Sequence, residues 1–334
     1  MSNRKQKMPN YYKKLISFTR NNIEEESFFG CILALDKNNN ILYQSDKNVV
    51  DFQVCHRSCA KPMQLSVLFD LGYDNFFNDE QIAIMAASHQ ATNYHTQLVK
   101  SVLETNNIDE KYLKCPIHLP YNQNVLIDFI KNKVEIKNIH NNCSGKHAFM
   151  LTVCKLKNWD MKTYCDYNHP LQKLIINKLA KLCDIKKTPT LTKDGCLAPV
   201  IISSIYELAF GFKNLFQDKK YRRIKEAYKK YPKAVGGDNN LDTVIMENTK
   251  NLVAKNGAGG LICIYNDSNG EVLTIKTANG NSKKARSLVA LKMIKNLNWI
   301  SEKEYKNLKS HPIFNENVTT LNDEIVGETI YHFD

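Results

Sequence analysis

The sequence lacks any run of about 20 apolar residues, the length a membrane-spanning helix needs. Its most apolar later segment, roughly Leu197 to Phe212, is broken by Glu207. It also lacks a secretory leader: the opening MSNRKQKMPNYYKKLISFTRNN is basic but has no apolar core of about 7–15 residues. Together these gaps point to a soluble, cytoplasmic protein. There is no paired C-x-x-C motif, the sign of tandem metal or redox sites. The ten cysteines, at 31, 55, 59, 115, 143, 154, 165, 183, 196 and 263, are therefore expected to be reduced thiols, mostly buried small hydrophobes with some as metal ligands. Acidic residues are the scarcer charge, 34 against 46 Lys+Arg, for a net +12. That excess brings a nucleic-acid partner into question. No sustained basic stripe supports one. The clusters Arg4–Lys7, Lys13–Lys14, Lys186–Lys187, Lys219–Lys220, Arg222–Arg223 and Lys283–Lys284 read as solvated faces, and nucleic acid is not the expected partner. No repeat or linker divides the chain.

What is present is a globular composition, 334 residues of which 43% are apolar, enough for a sizeable core. Residues 1–20 read as a basic tail, disordered or loosely docked, ahead of one domain over 21–334. Phe28–Asp36 and Ile41–Ser45 read as a hairpin across the Asn-rich turn Lys37–Asn40, and Gly259–Asp267 with Glu271–Ala278 as another. Helical patterns follow Ser58 as far as Leu71 and recur at Asp79–Ala87, His95–Glu104, Ser144–Lys155, Pro170–Leu182, Pro199–Phe210, Tyr221–Lys230 and Ser282–Lys295. Strands at both ends and helices between them imply an α+β fold with an antiparallel sheet.

Four stretches could carry chemistry. In RSCAKPMQ, residues 57–64, Ser58 and Lys61 are three apart on one helix face, and free N–H groups at the helix start could polarise a carbonyl. A lysine acts as a base only if its pKa drops from ~10.4 to near 7–8, which takes on the order of 3–4 kcal/mol of environment. Ser58 could equally be a capping residue. HNNCSGKHAFM, residues 140–150, is no phosphate loop, since His140 stands where its first Gly belongs and His147 where Ser or Thr follows the Lys. Cys143 and His147, at i and i+4, could ligate a metal with Cys196 of KDGCLAP, or all three could be structural. ASHQ (87–90) and VAKNGAGG (253–260) are bland singly. Lys255 reads as a strand-end lysine beside turn glycines.

In order, RSCAKPMQ, ASHQ, KCPIHLPYN (114–122), NNCSGKH, DYNHPLQ (166–172), DGCLAP, YPKAVGG (231–237) and VAKNGAGG resemble the Rhizobium-type L-asparaginases, the asparaginase II family, over roughly Ser27 to Tyr331. The resemblance implies a fold like that of serine β-lactamases and penicillin-binding proteins, hydrolysis of L-asparagine to L-aspartate and ammonia, and a homodimer. It implies two Ser-Lys tandems, Ser58 with Lys61 and Ser88 with Lys255. Two lysines brought close disfavour each other's protonation, which gives the base its route to a lowered pKa. Ser58 is the preferred nucleophile, with the two serines' roles open to exchange. The resemblance also implies a zinc ion on Cys143, Lys146 and Cys196, displacing His147 from the ligand set to a substrate-binding place. Asp194 would meet the substrate's α-ammonium, and Arg57 its α-carboxylate or the serines.

The chain departs from the family pattern where acids are usual: Thr92 follows the Ser-His pair, Gly259 stands in the K-x-G-A-E-G turn, and Asn279-Gly280 replaces D-G. L-Glutaminase or another amidase activity on the same scaffold, and a catalytically inactive zinc-binding homologue, remain the alternatives.

Overall fold

The computed structural model describes residues 11–333, and in it the two ends of the chain share one sheet. Strands β1 (Lys13–Arg20), β2 (Ile23–Leu35) and β3 (Ile41–Gln44) open the chain. Strands β4 (Gln53–Cys55), β5 (Thr190–Lys193) and β6 (Pro199–Ser204) form a small second sheet in the order β4-β6-β5. Strands β7 (Leu252–Gly257), β8 (Leu261–Asn266) and β9 (Glu271–Thr277) return to the first. The main sheet runs Thr329–Tyr331, β1, β2, β9, β8, β7, with β3 also on β2, every pair antiparallel. Both expected hairpins, β2 with β3 and β8 with β9, are present.

Ten α-helices fill much of the interval between β4 and β7. These are α1 (Lys61–Asp70), α2 (Asp79–Met85), α3 (Asn93–Glu104), α4 (Gln123–Lys131), α5 (Ser144–Leu156) and α6 (Pro170–Leu182), followed by α7 (Ile205–Gln217), α8 (Arg222–Lys230), α9 (Pro232–Gly236), α10 (Leu241–Asn248) and, after β9, α11 (Lys283–Asn296). Helices α7 and α11 both pack on the sheet. Strand β8 is buried at every residue, as a strand covered on both faces must be. Helix α1 is buried from Lys61 to Phe69 and packs against α5, α6 and α7. A helix enclosed on all sides belongs to the core, so its first residues are held rigidly.

Three expectations need correction. Residues 13–20 belong to no loose tail: they form β1, paired on both edges. The lysines and arginine at its ends hide a centre, Leu15–Thr19, that is buried throughout. Residues 1–10 of the expected tail lie outside the described residues. Pro199–Phe210 is not one helix but β6 running into α7. Lys255 is not at a strand end; it lies inside β7, opposite Cys263 of β8. All ten cysteines are free thiols, nine buried and Cys55 partly so. Several basic clusters are paired locally, Lys13 with Asp46 at 2.9 Å and Arg223 with Asp79 at 2.7 Å. No described helix is long and apolar enough to cross a membrane.

Candidate active site

Ser58 lies in a 3-10 turn, Arg57–Ala60, that runs directly into α1, with Pro62 in the helix's first turn. Arg57 has φ of 46°, the left-handed region that side chains avoid at a cost of about 1–3 kcal/mol. The turn leads out of β4, and Asp194 leads out of β5, so one small sheet carries both. Arg57 Nη2 meets Asp194 Oδ1 at 2.9 Å. Below them, Leu197 at φ of 72° closes the turn that holds Cys196, with the Leu197 N–H donating to the Asp194 carbonyl.

Ser88 follows α2 in a segment tied on both sides, its N–H on the Val235 carbonyl at 2.8 Å and the His89 N–H on the Asn142 carbonyl at 3.1 Å. Two amines converge on its hydroxyl, Lys61 Nζ at 3.0 Å and Lys255 Nζ at 3.1 Å. The two tandems expected from the sequence are therefore joined through one oxygen. Lys61 bonds Ser88 and the Ala87 carbonyl rather than Ser58. The Ser58 hydroxyl makes no hydrogen bond among the described residues and lines the cavity. Burial pushes the Lys61 amine below its ordinary pKa, and Lys255 and Lys146 push the same way against the nearby sulfurs of Cys143 and Cys196. The expected oxyanion donors are partly spent, because Cys59 N–H bonds the His56 carbonyl and Lys61 N–H the Ser58 carbonyl.

A cavity of about 900 Å3 opens over this centre, lined by Arg57, Ser58, Ser88, Asp194, Cys143 and Cys196 among others. Lys61, Lys255 and Lys146 lie behind that lining, almost wholly buried. His147, expected to touch substrate, is fully buried and does not line the cavity. Its place is fixed from below. Tyr164 oxygen accepts the Lys114 N–H at 2.9 Å and lies 2.6 Å from His147 Nδ1. The His147 ring is thus held through Nδ1, and burial pushes its pKa down while Cys196 pushes it up.

Cys143, Lys146 and Cys196 do come together. Lys146 Nζ is 2.8 Å from Cys196 Sγ, and the Cys143 thiol holds the Cys196 pKa well down against burial, its own being pushed up. Burial disfavours a charge on Lys146, but Cys196, Cys143 and Asp194 outweigh it and raise its pKa. Two sulfurs and an amine on one point are a chemically reasonable set for a thiophilic ion. Among the described residues no group of three or more His, Cys, Asp or Glu is placed to hold a metal, so any such site depends on the lysine. Gly145 makes the approach possible: a Cβ there would sit 2.0 Å from the Ile84 carbonyl oxygen of α2.

The departures from the family pattern have local explanations. Thr92 caps α3 and binds His95 Nδ1, and His95 stacks on His89. Gly259, at φ of 71° with open space where a Cβ would be, forms the β7–β8 turn. Asn279 binds the Asn281 N–H at 3.0 Å.

The sequence reading missed Asp242, which is 1% exposed and bonded to Lys255 at 3.2 Å. The available signal was an acid in the buried first turn of helix α10, LDTVIMEN, five residues past the Gly236-Gly237 pair. A family model described as L-asparaginase II matches residues 16–330 of the chain. No curated protein matches it.

Proposed function

Because the chain belongs to the L-asparaginase II family, and is therefore an amidohydrolase of the asparaginase type acting on a small-molecule amide, we propose that its substrate is L-asparagine. The fold we assign is that of the serine β-lactamases and penicillin-binding proteins. In its favour is an antiparallel sheet packed with helices, with the S-x-x-K run opening a buried helix.

One observation carries the mechanism: two buried lysine amines share the hydroxyl of Ser88. Ser58, whose hydroxyl is free and faces the cavity, is the nucleophile, and Ser88 is the relay between it and Lys61. The Ser58 proton passes through Ser88 to Lys61 Nζ as Ser58 Oγ adds to the side-chain carbonyl carbon of asparagine. The proton returns to the nitrogen, the C–N bond breaks, and ammonia leaves an aspartyl ester on Ser58. Water then adds by the same route in reverse, giving aspartate and the free serine. The low pKa direction of Lys61 favours the neutral amine this needs.

The Arg57–Asp194 pair presents a positive and a negative group side by side at the cavity wall. That matches an amino acid's zwitterion, with Arg57 on the α-carboxylate and Asp194 on the α-ammonium. Zinc fits Cys143, Lys146 and Cys196. It would supply a fixed cationic anchor, tying the Asp194–Cys196 turn to α5 and so setting where Asp194 stands.

The test is ammonia release from L-asparagine and L-glutamine side by side. We expect the asparagine rate to exceed the glutamine rate by about 10–200-fold, the range one methylene commands in an apolar pocket. Ser58→Ala and Lys61→Ala should each reduce turnover by at least about a thousandfold. Undiminished activity in either variant sinks the mechanism, and preference for glutamine sinks the substrate.

A further inference from the structure

We propose that Asp242 is a positioning residue that fixes Lys255 as the charged member of the lysine pair and so leaves Lys61 as the base. The inference rests on the Ser-Lys reading above and assigns the two lysines different protonation states.

Counting hydrogens separates them. An ammonium has three N–H donors and no lone pair, whereas a neutral amine has two donors and one acceptor site. Lys255 Nζ has three acceptors around it, Ser88 Oγ at 3.1 Å, Asp242 Oδ2 at 3.2 Å and the Asn256 carbonyl at 3.0 Å. That is a full complement for an ammonium. Lys61 Nζ has two partners, the Ala87 carbonyl and Ser88 Oγ. One N–H for Ala87 and one lone pair for the Ser88 hydrogen satisfy a neutral amine. The Ser88 hydroxyl accepts from Lys255 and donates to Lys61, which gives the relay a direction.

Electrostatics agree. Lys255 is 0% exposed and Asp242 1%, and a buried unpaired ammonium costs several kcal/mol. Lys255 has a carboxylate against it; Lys61 has none. The other titratable groups around the Lys255–Asp242 pair are Lys61, Cys59, whose thiol bonds the Lys255 carbonyl, Cys263 opposite on β8, and Tyr228 on α8 and Arg286 on α11, both of which feel the Asp242 charge. None of these is a second carboxylate.

Asp242 is itself built in. It accepts from Asn256 N–H at 3.0 Å and Asn256 Nδ2 at 3.1 Å, and from the Thr243 N–H at 3.1 Å. Gly236 leaves it room, since a Cβ there would lie 2.6 Å from Asp242 Oδ1. It does not line the cavity and so acts through Lys255, not on substrate.

The experiment compares the full chain with Asp242→Asn and Asp242→Glu by asparagine kinetics and by nitrogen-15 NMR of lysine side chains, the signals of the buried Lys61, Lys146, Lys213 and Lys255 being assigned with Lys61→Gln, Lys146→Met and Lys213→Gln. At pH 8 the unsubstituted chain should give an ammonium signal for Lys255 and a neutral-amine signal for Lys61. Asp242→Asn should convert the Lys255 signal and cut kcat at least about a hundredfold with KM nearly unchanged, while Asp242→Glu, keeping the charge, should retain the ammonium and about a tenth of the rate. Equal losses in the two variants, or spectra that do not follow the carboxylate, overturn the proposal. If Asp242→Asn does not fold, the unsubstituted spectrum still decides: a neutral Lys255 or a charged Lys61 overturns it. A chain with the expected spectra but no ammonia release refutes the asparaginase mechanism and leaves the charge assignment standing.

Discussion

Lys146 and His147 are neighbours on α5, and Lys146 is the one whose Nζ stands 2.8 Å from Cys196 Sγ. The i, i+4 spacing with Cys143 made His147 the natural ligand. Tyr164, itself bonded to the Lys114 N–H 50 residues away, holds the His147 ring through Nδ1 at 2.6 Å. No local pattern could have revealed this, because the deciding hydrogen bond joins segments distant in sequence. Purified protein should therefore carry close to one zinc per chain by elemental analysis. Cys196→Ser and Lys146→Met should reduce it to about a tenth or less, whereas His147→Gln should keep it. A ligating lysine must be neutral, so zinc should be lost on acidification. Retention of metal in Lys146→Met would exclude the lysine. The meeting of Lys61, Ser88 and Lys255, by contrast, was legible once several short motifs were taken in order. Asp242 was not, since a carboxylate in the first turn of a helix has no meaning until β7 brings Lys255 against it.

Helix α5 meets α2 at Gly145, and this contact sets how deep the Cys143–His147 segment sits. Gly145→Ala would place a methyl 2.0 Å from the Ile84 carbonyl oxygen, a clash with backbone that no rotamer change relieves. It should destabilise the protein by at least about 2 kcal/mol in urea unfolding; an unchanged midpoint would mean the two helices do not hold each other. Periodicity was enough to find α5 and α6, the second with the bounds Pro170–Leu182 intact. It failed at Pro199–Ser204 because a short continuous apolar run looks the same in a strand and in a buried helix. The missed signal was Ser204 with Glu207, a capping box that starts α7 and leaves the preceding residues as β6. It failed again at β7, where a lysine in mid-strand argued against burial until its partners were known.

Across the whole molecule, buried imidazoles tie stability to pH. His56, fully buried with Nε2 on Ser203 Oγ at 2.7 Å, has its pKa lowered by burial to about 3. Its folded value lies below the unfolded value of ~6.5, so the unfolded chain binds the extra proton first. The stability it confers is fully present above about pH 6.5 and is lost as pH falls towards 3. Between pH 8 and pH 5 the loss from His56 alone is roughly 2 kcal/mol. His89, His95 and His147 are shifted the same way, burial being the main cause. Thermal melts should show the midpoint falling over this range, with a shallower dependence in His56→Gln; an equal slope would remove His56 from the account. The main sheet has a consequence in time as well. It pairs Ile16 with Tyr331 and β2 with β9, and contacts so far apart in sequence form late. During synthesis Ser58, Lys61 and Ser88 emerge from the ribosome long before Lys255. A nascent chain therefore carries a half-wired cluster, Ser88 and Lys61 without Lys255, until translation has delivered β7 to the waiting sheet.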